Sequence, residues 1–322
     1  MTAIYRYAVD VLTSVDEARD RALNGRDEFF WADLESPSDD DLTAIGAALG
    51  LHGLAMEDTR EFGQPPKLDH FGDHVLLVFY TARPRPDTRS YEPLEIHVYV
   101  SGGFVLTVRR APCPALDRLR ERLATTTPDG DEAVLYRVLD TLADELPAAT
   151  DGIEEQLDAL EGDVLERVRR EHATRIYRLK QSVRDLHRVV AHQRDRFHGD
   201  AEEILALPGF QPGQRRYLDD VRDTLEQAAA ELGRQADDLQ ALTSTYFNAN
   251  AERLNSGVAR LTVVATFFVV WTLVTSFFGQ NFGWLVGSID SLADFLIWGV
   301  GGLVASTAVA GAILWWRRRD LF

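Results

Sequence analysis

Two long stretches without charged residues, both near the C-terminal end, constrain the fold of this chain most. No Asp, Glu, Lys or Arg occurs from Leu261 to Ile289, and none occurs from Phe295 to Trp316. Because a helix of about 20 apolar residues crosses the hydrocarbon core of a bilayer, we predict membrane spans at about 261–278 and 295–316. The alternative is a pair of buried core helices, but soluble folds rarely place two such stretches at one terminus.

The charges that flank these stretches predict how the spans are oriented. Arg253 and Arg260 precede the first span, and Arg317–Arg319 follow the second, whereas the linker between the spans carries only Asp290 and Asp294. Cytoplasmic segments next to membrane spans are enriched in Lys and Arg. The sequence therefore predicts a multi-pass protein of the cell membrane with both termini in the cytoplasm and a short external loop.

The net charge indicates which partners the rest of the chain can have. The chain contains 34 Lys and Arg against 51 Asp and Glu, a formal charge of −17. Three Asp and three Arg cancel within residues 261–322, so the first 260 residues carry the whole excess. Such a domain attracts cations and is a poor candidate for binding nucleic acid. The single cysteine, Cys113, excludes an internal disulfide and a Cys-rich zinc site.

Upstream of the spans, the first 145 residues are predicted to form a mixed α/β domain. A helix is expected at Asp39–Gly50, with Ser38 as its N-cap and Gly50 as its stop. Ser101-Gly102-Gly103 indicates a hairpin between two β-rich segments. The expected strands are Ile4–Val9, Phe29–Asp33, His74–Thr81, Leu94–Val100 and Phe104–Arg109, and a further helix is expected at Pro114–Thr125.

After residue 131 the apolar residues follow helical spacing only. Two helices are predicted at 132–169 and 173–207, before a Pro- and Gly-rich break at 208–213. From Gln214 to Phe278 no proline occurs, which predicts one helix of about 98 Å running into the first span. The predicted fold class is an α+β cytosolic domain (1–145), a long-helix stalk region (146–257) and a transmembrane domain (258–322) formed by a two-span hairpin.

One face of the first span is small or polar. Its members advance by alternating steps of three and four residues: Asn255, Val258, Thr262, Ala265, Val269, Thr272 and Ser276. The opposite face is bulky and apolar: Phe267, Trp271, Val274 and Phe278. Small residues also favour ordinary helix packing, but Gly302, Ser306 and Ala310 of the second span already offer such a surface. We therefore favour a pore-lining face, which implies a ring of subunits because two helices cannot enclose a channel.

Several motifs of this chain resemble the CorA family of divalent-cation transporters, and the resemblance covers nearly the whole chain. Gly279-Gln280-Asn281, at the external end of the first span, is similar to the family's Gly-Met-Asn signature, with Gln280 in place of methionine. Further similar segments are Asn255–Thr262, Trp31–Pro37, Leu51–Leu54 with Glu57-Asp58, Pro66-Lys67, Ile176–Lys180 and the arginine-rich C-terminus.

The resemblance implies a funnel-shaped homopentamer whose pore is formed by the first span. By position, Asn281 would form the polar ring at the external mouth, and Gly279 would allow the tight turn. Asn255 and Thr272 would be the inner and middle polar rings. The apolar constriction would be formed by Val258, Leu261, Ala265 and Val269. The resemblance thus favours Leu261 where the helical spacing favours Thr262.

The resemblance also implies the transported ion and its regulation. We expect influx of divalent cations, magnesium above all and also cobalt or nickel, with Mg²⁺ as transported and regulatory ion and no organic cofactor. Gln280 leaves a zinc transporter of the ZntB-like branch as an alternative, and a non-conducting membrane-anchored scaffold is the alternative from another class. Asp290 and Asp294 are either external cation attractors or solvated loop charges.

Acidic residues on the stalk are candidates for a regulatory metal site. In the regulation that the resemblance implies, a Mg²⁺ ion would be shared with a neighbouring subunit by Asp219, Asp220 and Asp223, although most acidic clusters are solvated faces. His187, His192 and His198 lack the i,i+4 pairing of a helical zinc site. No arrangement of a nucleophile with a base is evident, so we expect no enzyme.

Overall fold

The computed structural model describes residues 10–24, 29–86, 90–125, 134–206, 215–280, 283–289 and 291–319. They belong to two compact units, Met1–Ser244 and Thr245–Phe322. The predicted strand at Ile4–Val9 and the predicted break at 208–213 lie outside the described residues.

The first unit begins with an α+β arrangement and continues with long helices. Its elements in chain order are β1 (Asp10–Leu12), α1 (Val15–Asn24), β2 (Phe30–Glu35), α2 (Asp39–Leu49), α3 (Gly53–Glu61), β3 (Lys67–His70), β4 (His74–Pro84), β5 (Tyr91–Ser101), β6 (Phe104–Arg109), α4 (Pro114–Thr125), α5 (Val134–Glu166), α6 (Arg170–Leu205) and the first part of α7 (Arg215–Phe278). The second unit contains the rest of α7, then α8 (Gly283–Gly287), α9 (Leu292–Asp294), a π-helical turn (Phe295–Val300) and α10 (Gly301–Arg319).

The six strands form one mixed sheet in the order β1-β2-β6-β5-β4-β3. β1, β2 and β6 are parallel to one another, whereas β6, β5, β4 and β3 are joined by antiparallel pairs. The predicted hairpin between β5 and β6 is confirmed, with Val100 opposite Val105. The α+β fold class is therefore confirmed.

Local signals in the sequence explain why α2 forms where it was predicted. The Ser38 hydroxyl accepts a hydrogen bond from the backbone N–H of Asp41, while the Asp41 carboxylate accepts from the backbone N–H of Ser38. This reciprocal capping box satisfies two N–H groups that the first turn cannot pair. Gly50 ends the helix with φ 68°, a left-handed conformation that glycine adopts without strain.

Four elements of the first unit were not predicted, because their local signals are weak. β1 has three residues and β3 has four, too few to show an alternating pattern, and α1 and α3 are short helices. His52 caps α3 by accepting a hydrogen bond from the backbone N–H of Leu54, a role usually taken by Ser, Thr, Asp or Asn. β3 exists because its backbone pairs with β4, which no local pattern shows.

Hydrogen bonds that involve a side chain join both α5 and α6 to the sheet. The Gln193 amide accepts from the N–H of Tyr80 at 2.6 Å and donates to its C=O at 3.1 Å. This contact replaces a missing strand neighbour, because β3 pairs with β4 only as far as Val78. Thr81 donates to the backbone of α5, and Ser182 of α6 hydrogen-bonds Tyr91. The two helices are thereby fixed on the sheet.

The unbroken helix predicted at 214–278 is confirmed by α7, which has 64 residues. Within the first unit α7 buries an apolar face at helical spacing: Leu218, Val221, Leu225, Ala228, Ala229, Leu232, Leu239 and Leu242. The boundary between the two compact units, at residues 244 and 245, falls inside this helix. The limits at residues 145 and 257 inferred from sequence stay a prediction.

A buried ion network joins the ends of β2 and β6 to α4. Arg109, whose side chain is 1% exposed, contacts the carboxylates of Asp117 at 2.7 Å, Glu35 at 2.8 Å and Asp33 at 3.0 Å. Burial by itself lowers the pKa of Arg109, but the hydrogen bonds and charges of its carboxylate partners, Asp33 foremost, outweigh burial and raise it. The cation therefore stays charged inside the domain.

Replacing Arg109 with alanine should destabilise the protein strongly, because Asp33 would remain buried without its main partner. Removing one member of a buried ion pair costs about 3–5 kcal/mol. Thermal unfolding of the purified full-length protein in detergent measures the effect. Arg118→Ala is the matched control, since the 61% exposed Arg118 pairs with Glu145 on the surface and should contribute about 0–1 kcal/mol. Equal shifts in Tm for the two variants would contradict this interpretation.

Candidate functional site

The small or polar face of the first span is exposed along its whole length in the structure. This face, which we call the stripe, consists of Asn255, Val258, Thr262, Ala265, Val269, Thr272 and Ser276, with Leu261 at its border; all eight side chains are exposed. Val258 is 61% exposed, Leu261 69% and Val269 66%. Because Thr262 and Leu261 are both exposed, the choice between them stays open.

The opposite face of the span packs against α10. The less exposed residues of α7 in this region follow heptad-like spacing: Val263, Thr266, Phe267, Val270, Val274 and Phe278. On α10 the corresponding residues are small. A Cβ atom added at Gly302 would lie 3.8 Å from the Phe278 ring, and Ala310 is only 8% exposed. The bulky face of α7 thus packs against the small residues of α10, and the stripe points away from this contact.

A hydrogen bond crosses this contact between the two spans. The indole N–H of Trp271 donates to the Thr307 hydroxyl oxygen at 2.8 Å, and that hydroxyl donates to the C=O of Leu303 at 2.7 Å. Sequence reasoning placed Trp271 on the bulky face but missed its polar partner. The signal that was available is a threonine on the small-residue face of α10, one residue after Ser306.

The two threonine hydroxyl groups of the stripe have their hydrogens engaged within the helix. Thr262 donates to the C=O of Val258 at 2.9 Å, and Thr272 donates to the C=O of Phe268 at 2.7 Å. A hydroxyl whose hydrogen is used in this way offers only lone pairs to its surroundings. At these two positions the stripe therefore presents acceptors, which suit cations and the hydrogens of their hydration water.

The C-terminal end of the first span is described up to Gln280. The N–H of Gly279 donates to the C=O of Thr275 at 2.9 Å, so the backbone continues its helical hydrogen bonding past Phe278. Gly279 has no positive φ; a Cβ atom there would lie 3.2 Å from the Thr275 oxygen, so glycine is favoured by limited space and not by a left-handed turn. Asn281 lies outside the described residues.

The predicted external charges differ in what the structure describes of them. Asp290 lies outside the described residues. Asp294 belongs to a helix start: its backbone N–H donates to the Ser291 hydroxyl at 3.1 Å, and its carboxylate accepts from the same hydroxyl at 2.6 Å. Asp294 thus has a structural role at the beginning of α9, and its role as a cation attractor stays a prediction.

Each of the three candidate regulatory carboxylates has a partner within the chain. Asp219 contacts Arg222 at 3.1 Å, and Asp223 contacts the same guanidinium at 3.0 Å. Asp220 accepts a hydrogen bond from the Tyr136 hydroxyl at 3.0 Å, and burial together with Asp140 and Asp220 raises the pKa of Tyr136. In the described part of the chain no group of three or more His, Cys, Asp or Glu side chains is placed to hold a metal ion.

The fold and the two spans define a class of membrane protein, in which an α+β domain connects through one continuous helix to an apolar hairpin. Both α7 and the segment Leu292–Trp316 are long and apolar enough to cross a bilayer. The model of the family described as "CorA-like Mg2+ transporter protein" matches residues 26–319. The chain therefore belongs to this family of transporters.

Individual relatives agree with this assignment. The cobalt/magnesium transport protein CorA of Thermotoga maritima is 24% identical over 75% of this chain and 69% of its own length. The zinc transport protein ZntB of Yersinia enterocolitica is 23% identical over 90% of this chain and 88% of its own. The solved CorA magnesium transporter of Methanocaldococcus jannaschii has a TM-score of 0.76 at 18% identity, covering 88% of this chain and 89% of that chain, which shows a shared fold.

The close contact at Gly302 predicts a size-dependent effect on the hairpin. Gly302→Ala should be tolerated, because its Cβ atom would meet the Phe278 ring at ordinary contact distance. Gly302→Leu should push the spans apart and cost about 1–3 kcal/mol. Gly311→Leu is the matched control, since no atom lies within 4 Å of a Cβ atom at that position. Tm values in detergent measure the effect; a larger loss for Gly311→Leu than for Gly302→Leu would refute the described packing.

Proposed function

We propose that the protein is a homo-oligomeric channel, most simply a pentamer, that carries hydrated Mg²⁺ into the cytoplasm through a pore lined by the stripe of α7. One observation carries the proposal: along the span, the face opposite the α10 contact is small or polar and exposed. Polar residues in a membrane span usually face a water-filled cavity or the interior of a helix bundle, and this face carries Thr262, Thr272 and Ser276. Several copies around one axis would bury it.

The polar residues of the stripe suit an ion that keeps its water. Mg²⁺ dehydrates reluctantly, so a ring of neutral oxygen atoms can hold its hydration shell by hydrogen bonds without trapping the ion. Asn255 and Asn281 supply amide oxygens, and Thr272 supplies a hydroxyl whose hydrogen is already donated to Phe268. A ring of carboxylates in the same place would bind the ion more tightly and slow its release.

The apolar residues of the stripe suit a gate. Val258, Leu261, Ala265 and Val269 lie between the Asn255 ring and the Thr272 ring. A narrow apolar constriction excludes water and so closes to ions, while the polar rings on either side provide places where the hydrated ion can rest. Opening would require these side chains to move apart.

Charge distribution supports inward transport with both termini in the cytoplasm. The cytoplasmic side is favoured for these ends by Arg253 and Arg260 before the first span and by Arg317–Arg319 after the second. The membrane potential contributes about 2.3 kcal/mol per charge per 100 mV, hence about 4.6 kcal/mol for a divalent ion. That free energy supports accumulation of about three orders of magnitude without ATP.

The choice between magnesium and zinc rests on the donor atoms. Zinc sites in proteins use Cys and His, whereas Mg²⁺ prefers oxygen. The stripe contains only amide and hydroxyl oxygens as polar groups, and no Cys or His occurs from Asn255 to Phe322. Magnesium, with cobalt and nickel as further substrates, is therefore favoured, although Gln280 adds an amide at the mouth and a relative transports zinc.

Closure by cytosolic Mg²⁺ is the regulatory part of the proposal. Asp219 and Asp223 share Arg222 within the chain, and Asp220 is hydrogen-bonded to Tyr136. A Mg²⁺ ion would therefore have to recruit a further carboxylate from a neighbouring subunit and compete with these contacts. Such a site would be weak, as expected for a sensor of millimolar ion concentration.

Substitutions along α7 test the pore with matched controls. Asn281→Ala, Asn255→Ala and Thr272→Val should each reduce Mg²⁺ uptake into proteoliposomes by about tenfold, because each removes a ring of hydrogen-bond acceptors. Asn250→Ala and Thr275→Val make the same chemical changes off the stripe and should leave uptake within about twofold. Size-exclusion chromatography with light scattering checks that the oligomer is intact. Equal effects for stripe and control variants would contradict the assignment of the pore face.

Competition among ions separates the alternatives. Uptake of Mg²⁺ should be inhibited by Co²⁺ and Ni²⁺ at concentrations similar to that of Mg²⁺, since all three carry a hexahydrate shell of comparable size that the oxygen rings can hold. If Zn²⁺ is taken up at micromolar concentration and Mg²⁺ is not, the zinc alternative is correct. If the wild-type protein takes up no divalent ion, the non-conducting scaffold is correct.

A further inference from the structure

We propose that the hydrogen bond between Trp271 and Thr307 is a positioning contact that fixes the rotation of α7 about its axis and thereby keeps the stripe directed away from the second span. The inference rests on the proposed function, because the orientation of the stripe matters for ions only if the stripe lines a pore. The contact lies entirely within the second unit.

The first step in this inference is that the indole N–H must have a partner. Trp271 lies ten residues after Leu261, in the middle of a stretch without charges. A polar N–H group in hydrocarbon has no water to bond, so leaving it unpaired is costly. Thr307 supplies its acceptor at 2.8 Å. The bond will therefore persist unless α7 turns toward another acceptor.

The second step is that the side chain of Thr307 is held in one conformation. Its hydroxyl hydrogen is donated to the C=O of Leu303 at 2.7 Å, which holds the side chain in one rotamer and points its lone pairs toward α7. The hydrogen-bond chain from Trp271 through Thr307 to Leu303 is complete, with each hydrogen used once. A complete chain of this kind holds both helices in one register.

The third step is geometric. At about 100° per residue, Trp271 lies about 160° around the helix from Val269, the middle of the stripe. Rotating α7 by a single residue step would remove the indole from Thr307 and turn Val269 out of line. The contact between Gly302 and the Phe278 ring sets how closely the two helices can approach. An apolar contact of this kind resists rotation of α7 less than a directional hydrogen bond does.

Removing the acceptor and removing the donor of this hydrogen bond have different consequences, and this difference gives a sharp test. Thr307→Val leaves the indole N–H without an acceptor, so α7 is driven to turn toward another one. Trp271→Phe removes the N–H, while the Thr307 hydroxyl keeps its bond to Leu303. Where no water can replace the lost partner, removing one partner of a hydrogen bond costs more than removing both. The double variant should therefore behave like Trp271→Phe alone.

Uptake of Mg²⁺ into proteoliposomes is the first measurement. We expect Thr307→Val to lower the rate about three- to tenfold, Trp271→Phe to lower it by a smaller factor because the bond is lost but no N–H is left unpaired, and Thr307→Ser to leave it unchanged because the hydroxyl is kept. Adding Trp271→Phe to Thr307→Val should restore uptake to within about twofold of Trp271→Phe. Unchanged uptake in Thr307→Val, or a double variant worse than Thr307→Val, would overturn the proposal.

The second measurement reports helix rotation without any ion flux. Cys113 is the single cysteine of the chain, so single-cysteine reporters can be built on a Cys113→Ala background. Ser276→Cys, on the stripe beyond the apolar constriction, reports the stripe, and Val264→Cys reports an exposed position about 120° away. The ratio of their reaction rates with a membrane-impermeant thiol reagent should fall at least about threefold in Thr307→Val and recover in the double variant.

The two measurements distinguish the failure of this inference from the failure of the proposed function. A wild-type protein without uptake refutes the channel, whereas the labelling ratio still reports whether Thr307 controls the rotation of α7. A wild-type protein that conducts, with the same labelling ratio in Thr307→Val, refutes the positioning role alone.

Discussion

The structure depends on one constraint: inside a bilayer, every polar group of the chain has to find its partner in the protein. The backbone meets this constraint by staying helical through the spans, and the threonines meet it by donating to the carbonyl groups four residues earlier. The Trp271 indole has no such partner on its own helix and finds one on α10. The stripe of the first span stays exposed in the described part of the chain.

The first unit is not under this constraint, because its surface can contact water and can therefore carry charged side chains. Arg109 is buried with three carboxylates around it, and the excess negative charge of the chain lies upstream of residue 261. α7 belongs to both environments: its apolar face packs within the first unit before residue 244, and its polar face is exposed after residue 254. One helix therefore connects the acidic domain to the proposed ion pathway.

Much of the fold was predictable, because its signals are local. Ser38 and Gly50 act on the ends of the helix that they flank, and the absence of proline from 214 to 278 acts on the helix that contains those residues. The structure confirms both helices. β3 and the Trp271–Thr307 bond were not predictable, since each depends on a partner far along the chain whose register no local pattern gives. The stripe was found by helical spacing, but the engaged hydroxyl hydrogens that make its threonines pure acceptors required side-chain geometry.

A reconstruction of the purified full-length protein in lipid nanodiscs by electron cryomicroscopy would show directly whether several copies of the chain enclose a pore. We expect a ring of identical subunits in which Asn255, Val269 and Thr272 of every copy face a common axis, with α10 on the lipid side. A monomer, or a ring in which these three side chains face the acyl chains, would contradict it.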